Sequence, residues 1–234
     1  KPPVRGHRPT ARAGCRVVTA RASQPRIDVA AALLGERAEL EVPIGPLTNI
    51  AMLVRGYPHL APKIATICLM GGAVGEGNAT ASAEFNIYAD PVAAEIVFAS
   101  GLPITMIGLD VTHHATLGAD DLATFAALPG ASAHVAAELL GFAFARAKEW
   151  GQHEWMAIHD AVAVLHLAVP DLVGVARYRV VVDGTNGPAR GRTIGDASNY
   201  RLKRDRVESN CDVGLTIDRA RFVQLLVDAY RTLP

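Results

Sequence analysis

This sequence of 234 residues has few cysteines, lacks long apolar runs and has no excess of one charge. The three cysteines, Cys15, Cys68 and Cys211, lie far apart, so they form neither a disulfide framework nor a metal-binding spacing. A reducing, cytoplasmic compartment is therefore the default expectation. No apolar run reaches the roughly 18–20 residues that a membrane-spanning helix needs. Lysine plus arginine (23) equals aspartate plus glutamate (23), which excludes a strongly basic nucleic-acid-binding protein. We accordingly expect no membrane and no nucleic acid among the partners.

Acidic residues are also missing from residues 1–26, and the first one in the chain is Asp28. The same segment holds seven of the 23 basic residues and four prolines, so 16 basic and 23 acidic side chains remain for the rest of the chain. A solvated tail, a targeting peptide, a nucleic-acid-binding arm and a start inside a longer protein all agree with this composition. We expect a basic, disordered leader over residues 1–26 and a folded domain over residues 27–234.

The folded part alternates strand-length apolar segments with segments of helical period, and half of all residues are hydrophobic, enough for a substantial core. Such alternation requires crossover connections and predicts an α/β fold, a mainly parallel sheet flanked by helices. Ligands of such sheets bind beyond the carboxyl ends of the strands. The predicted strands are residues 39–45, 64–72, 103–112, 177–183 and 211–217, and the predicted helices are residues 48–57, 90–100, 120–128, 131–150, 159–169 and 218–233. Asp90 and Asp218 are the predicted N-caps of the helices that they begin.

The first polar cluster at a strand end is G-P-L-T-N at residues 45–49. Taken alone, it is typical of a strand-to-helix turn in which Thr48 and Asn49 cap the helix.

The second cluster follows L-M-G-G at residues 69–72 and contains Asn78, Glu84 and Asn86. In an extended segment Glu84 and Asn86 point the same way, because they alternate across one residue. Carboxylate and amide groups suit the vicinal hydroxyls of a sugar, and a solvated loop with turn-forming asparagines is the alternative. The glycines fit neither a dinucleotide fingerprint nor a P-loop.

The third cluster is the pair His159-Asp160 at the start of a predicted helix. A capping aspartate beside a packed histidine is one interpretation. A hard-cation ligand beside a proton-transferring histidine is the other. His113 and His114, at the end of another strand, either face the same pocket or cover it, and the sequence does not separate the two.

Together, these clusters resemble the inosine-uridine-preferring nucleoside hydrolase family from about residue 27 to the C-terminus. The motifs that carry the resemblance are G-P-L-T-N at 45–49, L-M-G-G at 69–72, G-N-x-T-x-x-A-E-F-N at 77–86, D-P-x-A-A at 90–94, G-L-D-V-T-H at 108–113 and H-D at 159–160. Each motif is weak alone, but all of them in this order make the resemblance specific.

The resemblance implies a nucleoside hydrolase-like, Rossmann-like fold and hydrolysis of the N-glycosidic bond of ribonucleosides such as inosine or uridine, in purine and pyrimidine nucleoside catabolism. It also implies a bound calcium ion and a homodimer or homotetramer. The roles it implies for single residues are calcium binding by the Thr48 carbonyl and the Asp160 carboxylate, ribose binding by Met70, Asn78, Glu84 and Asn86, and assistance to the departing base by His159.

One family motif is missing from this sequence, an Asp-x-Asp-x-x-x-Asp-Asp stretch at the end of the family's first strand. The resemblance assigns to that stretch most of the calcium ligands and the general base. We therefore expect an N-terminally truncated family member whose fold is incomplete at the N-terminus. Val17, Val18 and Thr19 are a candidate to occupy part of the slot of the missing central strand, although nothing in the sequence requires it. We also expect weakened calcium binding and little or no turnover by this chain alone, since losing a general base typically costs about 10²–10⁴ in rate.

Two other functions agree with the sequence. A ribose- or nucleoside-binding module would use the same amide and carboxylate groups without chemistry, and a basic-armed nucleic-acid binder would use residues 1–26. Base preference stays open, although the segment with Trp150, Gln152, His153, Trp155 and Met156 is the candidate lining of a base pocket.

Overall fold

The computed structural model describes residues 15–18, 39–149, 154–197 and 208–234. The strands are β1 (Cys15–Val18), β2 (Glu39–Pro43), β3 (Ile64–Met70), β4 (Ile104–Ile107), β5 (Thr116–Gly118), β6 (Trp155–Ala157), β7 (Val173–Val182), β8 (Thr193–Asp196) and β9 (Cys211–Ile217). The α-helices are α1 (Thr48–Gly56), α2 (Phe85–Ala89), α3 (Pro91–Phe98), α4 (Leu109–Thr112), α5 (Ala119–Ala126), α6 (Ala131–Glu149), α7 (Asp160–Ala168) and α8 (Arg219–Arg231). Short 3₁₀ helices cover Pro58–Lys63 and Pro170–Leu172.

The described strands form a seven-stranded sheet in the order β1-β2-β3-β4-β9-β7-β8. The first five strands in that order pair in parallel, whereas β7 is antiparallel to both β9 and β8. Strands β5 and β6 form a separate antiparallel pair. The predicted mainly parallel α/β sheet is therefore confirmed, and it places the ends of β3 and β4 side by side.

The core lies on both faces of this sheet because neighbouring residues of β3 point to opposite sides. Ile67 and Leu69 pack on one face with helices α1, α2 and α3. Cys68 and Met70 pack on the other face with α4, α7 and α8. A third cluster joins α5 and α6 to β5, β6 and α8. The site motifs are thus held at one edge of a sheet that is covered on both sides.

Two helix starts test the predicted caps. The carboxylate of Asp90 accepts a hydrogen bond from the Ala93 amide at 3.0 Å, as predicted for the start of α3. The prediction that Thr48 and Asn49 cap α1 is wrong, because the helix begins at Thr48 after Leu47 without a side-chain cap. The Thr48 hydroxyl instead donates to Asp90 Oδ2 at 2.6 Å, which joins α1 to α3.

The predicted strand over residues 103–112 is too long. Strand β4 ends at Ile107, and Leu109–Thr112 is a short helix, α4. Gly108 separates the two, and the Leu109 amide donates to the Gly72 carbonyl at 2.9 Å. The chain therefore turns where it meets the glycine-rich loop that follows β3.

The N-terminal part is described only in β1. Val17 and Val18 do form a strand, which pairs with β2 at the outer edge of the described sheet. Residues 1–14 and 19–38 lie outside the described residues, as does the predicted leader apart from β1. Among the helices that are described, none has the length and apolarity to cross a membrane.

Candidate active site

The loop after β3 begins the candidate site with two glycines. Gly71 donates its amide to the Ile107 carbonyl at 3.2 Å, next to the end of β4. Gly72 has a φ of 79° and lies so close to Met106 that a Cβ would fall 2.7 Å from the Met106 sulfur. A side chain at residue 72 would therefore be strained and would also clash. The glycines bring the loop backbone against β4.

Glu84 organises the far end of this loop. Its side chain is 3% exposed and accepts hydrogen bonds from the amides of Gly72 (2.9 Å), Asn86 (2.9 Å) and Ile87 (3.2 Å). Burial raises the pKa of the Glu84 carboxyl, while the three amides oppose that rise and Asp160 adds to it. Glu84 is thus the N-cap of α2, so the expected extended alternation of Glu84 and Asn86 is wrong.

The two asparagines of the motif are bound to the same loop. Asn86 Nδ2 donates to the Met70 carbonyl at 3.0 Å, and Asn78 Oδ1 accepts from the Phe85 amide at 2.9 Å. Asn86 is half-buried and Asn78 is exposed. Four of the residues named from the sequence, Met70, Asn78, Glu84 and Asn86, therefore share one hydrogen-bonded loop at the end of β3.

His159 lies at the start of α7, against the segment that follows β4. Its Nδ1 is 2.8 Å from Thr112 Oγ1, and its ring meets the His113 ring edge-on with a centroid separation of 5.9 Å. Burial, and then the neighbouring His113, lower the pKa of His159. The pKa of His113 is lowered by partial burial and by His114, although Asp110 opposes this. Hence His113 contacts the predicted catalytic histidine.

Asp160 is the first residue of α7, and His159 precedes it as N-cap without a side-chain cap bond. The side chain of Asp160 is exposed, yet the surrounding protein desolvates it enough to raise its pKa. Its charge also contributes to the raised pKa of Glu84. Helix α7 is anchored on β3 by the Cys68 thiol, which donates to the Ala163 carbonyl at 3.4 Å. The third sequence cluster is thereby brought close to the second.

The G-P-L-T-N cluster contributes differently. The Thr48 hydroxyl is bound to Asp90, which leaves the Thr48 carbonyl as the group proposed for a metal. Asn49 Oδ1 is buried without a hydrogen-bond partner among the described residues. An unsatisfied buried acceptor of this kind is uncommon and costly.

A metal site can be tested against these side chains. Within the described ranges, no group of three or more histidine, cysteine, aspartate or glutamate side chains has the arrangement to hold a metal ion. Asp160 and the Thr48 carbonyl supply two oxygen donors, whereas calcium takes about six to eight. The residues present do not by themselves fit a calcium site.

Two further residues hold the loop, and the sequence analysis did not assign them a role. Asp110 accepts from the Val74 and Gly75 amides at 2.8 and 2.9 Å. Buried Thr193 bonds both the amide and the carbonyl of Ala73, at 2.8 and 2.6 Å. The strand-end position of Asp110 was a usable signal, whereas Thr193 is 120 residues from its partner and carried none.

The candidate base-pocket segment is partly described. Trp155 is 38% exposed and lines an open cavity of about 790 Å³ together with His113, His114 and Arg219. Met156 does not fit the prediction, because it is buried against Leu117 and Phe125 in the third core cluster. Trp150, Gln152 and His153 lie outside the described residues.

Comparison with known proteins decides the family. The sequence profile of the inosine-uridine preferring nucleoside hydrolases matches residues 8–224. The chain belongs to this family. The match begins earlier than residue 27, from which the motifs were traced, and so includes part of the basic segment. The resemblance inferred from the six motifs is confirmed.

Curated members of the nucleoside hydrolase family are similar over most of this chain. The pyrimidine-specific ribonucleoside hydrolase RihA of Shewanella baltica (strain OS155) is 43% identical over 192 residues, which cover 81% of this chain and 59% of that protein. The pyrimidine-specific ribonucleoside hydrolase RihB of Shigella flexneri serotype 5b is 39% identical over 190 residues, with the same 81% and 59% covered. This chain therefore spans about three-fifths of the length of these relatives.

Solved structures of nucleoside hydrolases share the fold. The plant nucleoside hydrolase PpNRh1 aligns with a TM-score of 0.81 at 27% identity and covers 92% of this chain and 70% of that one. A purine-preferring ribonucleoside hydrolase from Gardnerella vaginalis aligns with a TM-score of 0.77 at 33% identity, covering 89% and 65%. These family members differ in the base that their names give, so the family alone does not fix a base preference.

Proposed function

We propose that this chain carries the ribose-binding and leaving-group side of a ribonucleoside hydrolase site. The observation that carries the proposal is the approach of two clusters, the Glu84 loop after β3 and the His159-Asp160 pair on α7. Asp160 is close enough to raise the pKa of Glu84, and α7 packs on β3 through Cys68. Curated relatives named ribonucleoside hydrolases support the same reaction class.

The residue types suit cleavage of an N-glycosidic bond. The amides of Asn78 and Asn86 accept and donate hydrogen bonds, as the vicinal hydroxyls of ribose require. Glu84 shapes the loop, because its carboxylate is already bound to three amides. Cleavage develops positive charge on the sugar and negative charge on the leaving base, as in other glycoside hydrolyses. A proton from His159 to the base would stabilise that leaving group.

We propose that calcium would bind with only some of its ligands supplied by the residues named above. Asp160 and the Thr48 carbonyl would supply two oxygen atoms, and the remaining donors would come from substrate hydroxyls, water or other residues. Such a site is weak, because it holds one carboxylate. No chemical step is assigned to the ion.

We expect low turnover by this chain, because the site has few free carboxylates. The carboxylates of Glu84, Asp90 and Asp110 are bound to backbone amides, which leaves Asp160 as the remaining acid of the site motifs. Without a second free carboxylate in the described site motifs, we expect attacking water to lack a general base. A ribonucleoside-binding module without chemistry is the second candidate function, and this shortage favours it.

Turnover and binding separate the two functions. Release of free base from inosine, uridine and cytidine would be followed by chromatography with calcium or with a chelator, and binding of the same nucleosides and of ribose by calorimetry. We expect saturable nucleoside binding with little or no base release. Calcium-dependent release would establish the enzyme and overturn the expected impairment. Binding that a chelator leaves unchanged, without release, would establish the binding module.

Specificity of that binding is tested with two variants. Asn86→Ala should lose nucleoside binding, because it removes the amide that joins the loop to Met70. His134→Ala is the matched control, since His134 is an exposed residue on α6. Absence of binding by the unmodified chain would overturn the proposed function.

The proposed function includes an oligomeric assembly and a cytoplasmic location. We infer a homodimer or homotetramer, supported by an exposed apolar stripe on α6, Val135, Leu139 and Phe142. Light scattering on a size-exclusion column tests the assembly, and a monomer would overturn it. A cytoplasmic location agrees with the buried thiol of Cys211, which is not in a disulfide in the described part of the chain. Cell fractionation tests the location.

A further inference from the structure

Thr112 lies next to the predicted catalytic histidine and is held in place by its surroundings. It is the last residue of α4, its side chain is fully buried, and its amide donates to the Gly108 carbonyl at 3.0 Å. The same short helix carries Asp110, which binds the loop at Val74 and Gly75. The backbone that presents Thr112 is therefore fixed on both sides.

Two contacts define the orientation of the His159 ring. Thr112 Oγ1 lies 2.8 Å from Nδ1, across a sequence separation of 47 residues. The ring of His113 packs against it at an interplanar angle of 66°. A hydrogen bond at one nitrogen and a ring contact beside it restrict rotation of the imidazole. They also leave Nε2, on the other side of the ring, as the nitrogen for a substrate.

We propose that Thr112 is a positioning residue for the reaction proposed above: its oxygen accepts the Nδ1 hydrogen of His159 and so reserves Nε2 for proton transfer to the departing base. The inference rests on the proposed function. A hydrogen-bond partner at Nδ1 fixes the tautomer and orientation of a histidine in the same way in other hydrolases.

Proton transfer from His159 accompanies cleavage of the glycosidic bond. The C1′–N bond breaks, its electron pair moves onto the base nitrogen, and the Nε2 proton of the charged imidazole passes to the base. Water forms the new C1′–O bond, and the proton that it releases restores the charged imidazole. Thr112 exchanges no proton, since the Nδ1 hydrogen stays in place throughout. The neutral ring left after transfer carries its hydrogen on Nδ1.

The tautomer of His159 tests this proposal without requiring turnover. Nitrogen-15 shifts of the ring would be read from long-range proton–nitrogen spectra at a fixed pH at which the ring is neutral. His159→Gln assigns the signals. We expect a pyrrole-type shift for Nδ1 and a pyridine-type shift for Nε2. Thr112→Val should shift the ring toward the Nε2–H form, which free imidazole side chains prefer, and Thr112→Ser should keep the original pattern.

A second threonine provides the control. Thr116 lies four residues further on and is bound to Arg219. Thr116→Val should leave the His159 shifts unchanged, and backbone amide spectra would verify that each variant is folded. A pyridine-type Nδ1 in the unmodified chain, or shifts that Thr112→Val does not alter, would overturn the role of Thr112. Base release and nucleoside binding are measured separately, so the proposed function can fail while the tautomer result stands.

Discussion

Three of the acidic residues in the site motifs accept hydrogen bonds from backbone amides, so their carboxylates are already occupied. Glu84 holds three amides, Asp110 holds two, and Asp90 caps α3 while accepting the Thr48 hydroxyl. Hydrogen bonds to a charged acceptor are stronger than neutral ones. These carboxylates therefore determine loop and helix geometry, and the proposed chemistry would use His159, Asp160 and the asparagine amides.

The Asp90 cap should contribute measurably to stability. Asp90→Ala removes the bond to the Ala93 amide and the acceptor of the Thr48 hydroxyl, so we expect the free energy of unfolding to fall by about 1–2 kcal/mol. Urea denaturation followed by circular dichroism measures the change. Asp120→Ala is the control, because Asp120 is an exposed acid in the first turn of α5. Equal effects of the two variants would contradict the assigned cap.

Burial should make the Cys211 thiol unreactive. Burial raises the pKa of Cys211 to about 12, so at pH 8 the thiol is almost entirely protonated and lacks the nucleophilic thiolate. We expect iodoacetamide to leave Cys211 unlabelled at pH 8 in the folded protein and to label it in urea. Peptide mass spectrometry measures the labelled fraction. Rapid labelling of Cys211 in the folded protein would show that the sheet opens there.

At the scale of elements, the loop over residues 71–84 depends on its anchors. Asp110→Ala removes the acceptor of the Val74 and Gly75 amides, each a bond to a charged group worth about 1.5–3 kcal/mol. We expect hydrogen exchange at these two amides to accelerate by about 10-fold or more. Mass spectrometry or NMR measures the exchange. Glu76→Ala, an exposed acid of the same loop, should change neither rate.

Elements with local signals were predicted correctly from the sequence, and those set by distant contacts were not. The apolar run of β3 and the Asp218 cap of α8 are local features, and both are confirmed. Residues 109–112 were predicted as strand because their apolar residues continue the run of β4, but the bond from Leu109 to Gly72 ends the strand. Glu84 was predicted in an extended segment because its amide partners are formed only by the folded loop.

The candidate site shows the same division. Its members Met70, Asn86 and His159 were found from motifs, whereas the anchoring role of Thr193 depends on a contact across 120 residues. Thr112 stood in a motif, but its partner His159 lies 47 residues away. Pairings at such separations follow from the order of strands in the sheet and leave no local pattern.

For the whole molecule, one sheet connects two apolar layers, so damage in one layer should weaken both. Phe222 on α8 is fully buried in the layer that holds α7 and His159. Phe222→Ala should lower the free energy of unfolding by about 3–5 kcal/mol, because it removes apolar contacts and leaves a cavity. The side chains of Leu69 and Ile87 pack in the opposite layer. If unfolding is cooperative, hydrogen exchange at their amides should accelerate in proportion to this loss of stability.

An exposed apolar residue outside the α6 stripe gives that experiment its control. Val92 on α3 is 52% exposed, so Val92→Ala should change the free energy of unfolding by no more than about 0.5 kcal/mol. Denaturation curves from circular dichroism and hydrogen exchange would be compared for both variants. Exchange confined to the layer of Phe222 would show that the two layers open independently. The loop of Glu84 and His159 contact the sheet from elements on different layers. In that case they would be positioned by local contacts, such as that of Cys68 with Ala163, and not by the sheet as a whole.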